Sequence, residues 1–380
     1  MNEIIETYKN TVIFYEVIIA SAALFACTLK WFPVKRERNK WNILTVRHGV
    51  FGFIVSFAIL WFVLAFANCG TDYAAYENCF INSLNPTYWA NKRIESGYVI
   101  LNFIIRFFTD DFEVYHAIWA FVLLFLVYST IFKYREYVHP GLAIFAYANI
   151  FYIQSLDLMR IYLAAALVFW GYRFLEEKKY IKYGVVIIIA MTIHTSAIVC
   201  FLPLILLIFI RHRGYIFLKI GSMIIFLAAV YVLRTSIFGN LFGYSYLANN
   251  TVSFGAAAFV YYVPLILMFV FIFRKKWAID DGDAELTNTF FIMTLSGFAI
   301  YLMSYIVTFA GRLSCYFMLP FVFFPSYFVN YLKQYKKSQL FRGLCVVLIL
   351  VFMAFRGYML FEYLKTDSTA PYTNIFGLNI

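Results

Sequence analysis

Arg160, Arg312 and Arg106 stand inside or beside long apolar runs of this sequence, and each is a permanently charged, planar donor suited to gripping phosphate. Charge placed at membrane depth is costly, so such residues pair with a carboxylate, snorkel to the interface or serve a ligand. Arg160 lies in QSLDLMRIYLAAAL, with Asp157 three residues earlier and Gln154 three before that. On a helix this spacing puts all three on one face, which allows either an Asp157 to Arg160 pair or an arginine presented to a phosphate. Arg312 follows Gly311 in AGRLSCYFMLP, directly after an apolar run, where it can snorkel outward or meet a ligand. Arg106 has Glu95 eleven residues before it, three turns away on the same helical face, as a surface helix facing water would also arrange.

His194 is the histidine placed nearest the middle of an apolar run; His48, His139 and His212 border basic segments and His116 begins a run. A neutral imidazole is what a general base near pH 7 requires, although a lone histidine in such a place also serves as a hydrogen-bonded structural residue. Asp72 and Tyr73 in CGTDYAAYENCF precede Tyr76, and Glu95-Ser-Gly-Tyr98 supplies a second carboxylate and ring. Carboxylates beside Tyr73, Tyr76 and Tyr98 suit sugar hydroxyls and ring faces, and they are also ordinary loop chemistry. Asp281-Gly-Asp283 reads as a solvated turn. The sequence has no HExxH, phosphate loop, dinucleotide fingerprint or zinc spacing, so no metal and no cofactor are expected.

The elements that position these groups follow from composition. Of 380 residues, 63% are hydrophobic and 13% charged, against roughly 45 to 50% and about 25% in soluble domains, which leaves an all-α polytopic membrane protein. Apolar runs near 20 residues lie at about 11–30, 50–67, 114–132, 158–175, 214–233, 255–273, 287–309, 311–331 and 340–362. Residues 140–153 are short for a span. The run 183–210, with His194 near its middle, reaches about 42 Å as a helix, too long for one upright crossing and too short for two. It reads as a broken hairpin entering from the cytoplasmic side.

The net charge of +11 is an orientation signal first. Basic clusters at Lys30 to Arg47, Lys133/Arg135, Arg173 to Lys182, Arg211 to Lys219, Arg274 to Lys276 and Lys333 to Arg342 hold 22 of the 31 lysines and arginines, so nucleic acid is not implied. Placing them in the cytoplasm gives about 12 membrane passages, with both termini outside. Residues 96–108 then form an interfacial or re-entrant helix, and the single transmembrane domain, 1–380, carries outer loops at about 68–113 and 234–254. The opening MNEIIETYKN is acidic, unlike a cleavable signal. Cys69 and Cys79 share the first outer loop, and a disulfide there needs a turn between them, because a straight helix would hold them about 15 Å apart.

The ordered set Gly70-Thr71-Asp72-Tyr73 with Tyr76, Glu95-Ser96-Gly97-Tyr98, Arg160 with Ala164, Ala190 with His194-Thr195-Ser196, and Arg312 with Tyr316 resembles the EpsG branch of the Wzy-like polysaccharide polymerases. The similarity covers about residues 50–330 and extends to the region of Tyr372. One departure is Ile161, where that family often has glutamine after the arginine. The resemblance implies a fold similar to membrane-embedded GT-C-like glycosyltransferases, in the bacterial cytoplasmic membrane. It implies polymerisation of undecaprenyl-diphosphate-linked oligosaccharide repeat units at the outer face, without metal. Donor and acceptor would both be lipid-linked glycans, with membrane lipids, a chain-length regulator and a flippase as further partners. In that chemistry Arg160, Arg312 and Arg106 stabilise the diphosphate leaving group, and His194 is the first choice for the base, with Asp72 and Glu95 as alternatives. Tyr73, Tyr76 and Tyr98 line the glycan path. A flippase for the same lipid-linked sugar and a membrane acyltransferase are the competing readings.

Overall fold

The computed structural model describes residues 2–31, 43–90, 94–201, 290, 293–294, 296–298, 300–301, 310–334, 338–363 and 371–380. The expected spans at 214–233 and 255–273, most of 287–309, the last nine residues of the 183–210 run, the expected outer loop at 234–254 and the Asp281 turn lie outside them. The described residues are mostly helical, without a strand. The chain divides into two compact units, one of residues 1–170 and 322–380 and the other of residues 171–321.

In the first unit the main helices are α1 (Asn2–Ala26), α2 (Ile43–Ala65), α3 (Tyr73–Ile81), α4 (Ser96–Phe108), α5 (Phe112–Lys133), α6 (Pro140–Tyr147) and α7 (Met159–Glu176), whose last turns pass into the second unit. Among the described residues, three stretches are long and apolar enough to cross a membrane: Lys9–Trp31, Phe112–Lys133 and Gly311–Asn330. With apolar lipid outside, helix contacts gain little from hydrophobicity and are fixed by close packing and hydrogen bonds. The Ser56 hydroxyl lies 2.8 Å from that of Tyr128, Trp61 Nε1 donates to the Ala117 carbonyl at 3.0 Å, and the Tyr152 hydroxyl donates to Leu60 O at 2.8 Å. Gly141 lets α6 press onto α1, since a Cβ there would stand 2.3 Å from Cys27 Sγ and 2.8 Å from the Ala23 carbonyl.

The short run at 140–153 is explained by its surroundings. Helix α6 continues through a π-helical turn, Ala148–Tyr152, to Ser155, and almost every side chain along it is buried, including Tyr147 and Tyr152. An interior helix need not match the thickness of the bilayer.

Helix α4, over the stretch expected as an interfacial or re-entrant helix, is amphipathic. Tyr98 and Asn102 are buried, while Phe103, Ile104, Phe107 and Phe108 are exposed. Residues 371–380 fold back onto α1 and α2: Tyr372 stacks on Phe14 with centroids 4.9 Å apart and donates its hydroxyl to Val63 O at 3.0 Å. Asn68 N donates to Thr373 O and Ile375 N to Phe66 O.

Cys69 and Cys79 are both free and buried. Cys79 lies on α3, where the Tyr88 hydroxyl donates to its sulfur at 3.5 Å, and Cys69 precedes the Gly70 turn. Mass spectrometry after denaturation in a thiol-blocking reagent is expected to find both residues carrying the label; a Cys69–Cys79 crosslinked peptide would contradict the fold.

In the second unit α8 (Tyr180–Ile193) stops where the 183–210 run was expected to break. His194 is extended, with φ −150° and ψ 113°, and a 3-10 turn, Thr195–Cys200, follows. The expected span 311–331 is also a chain of short pieces rather than one helix. Ala310–Leu313, Cys315–Met318 and a 3-10 turn, Leu319–Phe323, lead along the chain into α9 (Phe324–Gln334), which with the following α10 (Gln339–Tyr363) belongs to the first unit. Pro320 and Pro325 remove backbone donors along that path.

Candidate functional site

Gly70 begins the construction of the site. Its φ is +110°, and a Cβ there would stand 2.8 Å from the Leu156 carbonyl oxygen and 3.2 Å from the Asp157 Cα. Only glycine adopts such a backbone cheaply, and only a residue without a side chain lets the loop lie on the Leu156–Asp157 turn. The Asp157 carboxylate, 3% exposed, then gathers the loop's donors. Its Oδ1 accepts from Thr71 N at 2.7 Å, from the Thr71 hydroxyl at 2.5 Å and from Asp72 N at 3.3 Å. The shared face of Gln154, Asp157 and Arg160 is therefore not realised. Residues 156–157 form a turn before α7 starts at Met159, so helical spacing does not apply across them, and Asp157 serves the Gly70–Asp72 loop.

Arg160, one residue into α7, finds its carboxylate 65 positions away. Its Nη1 lies 3.0 Å from Glu95 Oε2, with side-chain exposures of 25% and 10%. Glu95 stands at the start of α4 but makes no capping bond with its side chain, which reaches Arg160 instead. The guanidinium carbon is 4.8 Å from the centre of the Tyr98 ring and 6.0 Å from that of Tyr76, distances at which a cation is drawn to a ring face. The Tyr76 hydroxyl donates to Asp72 Oδ2 at 3.4 Å. Asp72, Tyr76, Glu95, Tyr98 and Arg160, singled out in the sequence as separate candidates, thus form one connected cluster in the first unit.

Burial pushes the Tyr98 phenol up to about 12 and raises that of Tyr76 as well, where Arg160 pulls the other way, so both rings stay neutral. Tyr115, which the sequence did not flag, donates its hydroxyl to that of Tyr98 at 3.3 Å and fixes the ring behind the arginine. An arginine carries five donors. Arg160 Nε is buried and has no hydrogen-bond partner among the described residues. A half-buried cation clamped between a carboxylate and two rings, with its Nε donor unpartnered among the described residues, is fitted to hold an anion that also carries hydroxyls.

Tyr73 and Arg106 are placed otherwise. The Tyr73 ring packs edge-on against Phe112 at 5.2 Å and His116 at 5.6 Å, while His116 Nδ1 lies 3.0 Å from the Ala65 carbonyl. Arg106 continues the buried face of α4 beyond Tyr98 and Asn102, but its Nη1 binds Asp110 at both the carboxylate, 2.9 Å, and the carbonyl, 2.8 Å, and its guanidinium rests over Phe80.

The second unit holds its own polar centre. The Ser196 hydroxyl lies 2.7 Å from His194 Nδ1 and 3.0 Å from the Tyr316 hydroxyl, and Ser196 N donates to the same Nδ1 at 3.4 Å. Tyr316 is buried, and its carbonyl accepts from the Tyr172 hydroxyl at 2.5 Å. The turn that carries Arg312 packs on the Thr195–Cys200 turn, so the exposed Arg312 and His194 belong to adjoining elements. Among the described residues no group of three or more His, Cys, Asp or Glu is arranged to hold a metal ion.

The fold and the first cluster together define a helical membrane protein with a half-buried cationic centre walled by tyrosines and carboxylates. The model of the EpsG family matches residues 50–374, most of the chain, and takes in both polar centres as well as Tyr372. The chain belongs to the EpsG family, a family of Wzy-like polysaccharide polymerases. No curated protein and no solved structure was found to match it.

Proposed function

We propose that this protein polymerises undecaprenyl-diphosphate-linked oligosaccharide repeat units by glycosyl transfer at the outer face of the bacterial cytoplasmic membrane. Family membership supports the polymerase class. The Arg160 centre is the observation that carries the substrate: an arginine paired with Glu95 and set over the Tyr98 ring, with its Nε unpartnered among the described residues, suits a diphosphate attached to a sugar. In this reading the chain crosses the membrane about 12 times in a GT-C-like arrangement with both termini outside. Arg160, Arg312 and Arg106 take up charge on the departing diphosphate, Asp72, Glu95 or His194 takes the proton of the acceptor hydroxyl, and Tyr73, Tyr76 and Tyr98 face the glycan. A chain-length regulator and a flippase are the natural partners of such an activity.

Purified protein in proteoliposomes, supplied with lipid-linked repeat units alone, is expected to give a ladder of glycans spaced by one repeat. The arginines carry the charge in this mechanism, so EDTA is expected to leave the ladder intact, and its disappearance on chelation would overturn the metal-free assignment. Passage of the lipid-linked unit between leaflets without a ladder would instead establish the flippase, and dependence on an added acyl donor the acyltransferase.

A further inference from the structure

Helix α2 ends at Ala65, and the carbonyls of its last turn need donors before the chain turns into the Gly70–Asp72 loop. Distant parts of the first unit supply them. The Tyr372 hydroxyl donates to Val63 O at 3.0 Å, His116 Nδ1 on α5 donates to Ala65 O at 3.0 Å, and Ile375 N donates to Phe66 O at 3.2 Å. A carbonyl can only accept, so the His116 proton sits on Nδ1. The pairing continues as Asn68 N donates to Thr373 O at 3.0 Å and Ala67 stands opposite Asn374. Residues 371–380 are built to offer these groups. Tyr372 and Ile380 exchange two backbone hydrogen bonds at 3.0 Å, and Asn374 Oδ1 accepts from Phe376 N and Leu378 N. The buried Tyr372 ring lies edge-on to Tyr15, 5.7 Å away. Gly70 follows two residues after Asn68, and from Thr71 onward Asp157 takes over the hold.

We infer that Tyr372, with the 371–380 strap that carries it, and His116 are positioning residues for the site: they cap α2 from a distance and set the direction in which the chain enters the Gly70–Asp72 loop. This deepens the polymerase reading and rests on it. Asp72 is a candidate to take the proton of the acceptor hydroxyl, and its backbone is held through this capped helix end and through Asp157. Arg160 stands on α7 and pairs with Glu95 at the head of α4, so the diphosphate is gripped by elements that the strap does not cap. Loosening the strap therefore displaces the carboxylate and spares the arginine.

The test uses full-length protein in lipid nanodiscs, with rates counted per site titrated by the lipid-linked repeat unit, so that unfolded protein drops out. Tyr372→Phe keeps the ring and loses the donor. It is expected to lower kcat about tenfold and leave KM for the lipid-linked unit within about twofold, a partial displacement where a full ångström costs roughly 10²-fold. His116→Asn places an amide N–H where Nδ1–H stood and is expected to keep most of the rate, while His116→Ala falls as Tyr372→Phe does. A residue acting through Asp72 adds nothing once Asp72 is gone, so Tyr372→Phe is expected to leave the residual rate of Asp72→Ala unchanged. Losses that multiply in that double variant, or a raised KM with kcat intact, overturn the proposal. Hydrogen exchange supplies a readout without activity: Tyr372→Phe is expected to speed exchange at Thr71 N and Asp72 N about tenfold, and unchanged protection there also overturns it. Should wild-type protein make no ladder, the polymerase reading fails, while the exchange rates still decide whether the strap holds the loop.

Discussion

Arg160→Ala is expected to remove long-chain glycan from the product, leaving the lipid-linked unit unextended. The loss has two sources. Removing a preorganised cation from the position where leaving-group charge develops costs about 10²- to 10³-fold in rate. The substitution also takes the cation away from Glu95, whose side chain is 10% exposed and whose carboxylate is turned toward Arg160. Breaking a buried ion pair by removing one partner destabilises by about 3–5 kcal/mol, somewhat less here because Arg160 is a quarter exposed. A simple loss of activity would therefore not separate catalysis from folding. Pairing Arg160→Ala with Glu95→Gln removes the carboxylate charge as well, so the double variant is expected to recover wild-type abundance and melting temperature without recovering the ladder. Arg160→Lys is expected to fold and remain at least about tenfold impaired, because a point charge replaces a planar fork stacked on Tyr98. A wild-type ladder from Arg160→Ala, or its return in the double variant, would move the phosphate away from this arginine.

That cluster shows what composition and spacing can reveal. Each of its five members was conspicuous alone: an arginine in an apolar run, two carboxylates and two tyrosines in an outer loop. Their assembly was not legible, because Arg160 meets Glu95 across 65 residues and Asp157 meets Thr71 across 86, and helical periodicity reaches only a few turns. It misleads where a helix has not yet begun, as at Asp157. The break at His194 was legible, since a run too long for one crossing and too short for two must bend. The run at 311–331 passed for a plain span because its length and hydropathy hide two prolines and a series of short turns. Ser196 and Tyr316 belonged to the family-like pattern as motif neighbours, and only the fold shows that their hydroxyls meet, 120 residues apart.

The second large effect is expected where no candidate for chemistry is changed. If Asp157 is the fastener of the Gly70–Asp72 loop, Gly70→Ala and Asp157→Ala should fail in the same way although they alter different things. Asp157→Ala leaves Thr71 N, the Thr71 hydroxyl and Asp72 N without their acceptor. Hydrogen bonds to a charged group are worth about 1.5–3 kcal/mol each, with less than full additivity on one oxygen. Gly70→Ala removes no hydrogen-bonding group, but it puts a side chain at φ +110° and a Cβ 2.8 Å from the Leu156 carbonyl, a strain of about 1–3 kcal/mol before any clash is relieved. Both variants release Asp72 and with it the contact to Tyr76, so both are expected to lower the melting temperature in detergent and cut ladder synthesis by about 10²-fold, the effect of a misplaced site. Thr71→Val, which keeps the backbone donors, is expected to lose far less. Asp157→Asn keeps an acceptor oxygen without the charge and should fall between them. The opposite ranking, Asp157→Asn inactive at wild-type stability and Gly70→Ala indistinguishable from wild type, would make Asp157 a participant in the chemistry rather than the residue that holds Asp72 in place.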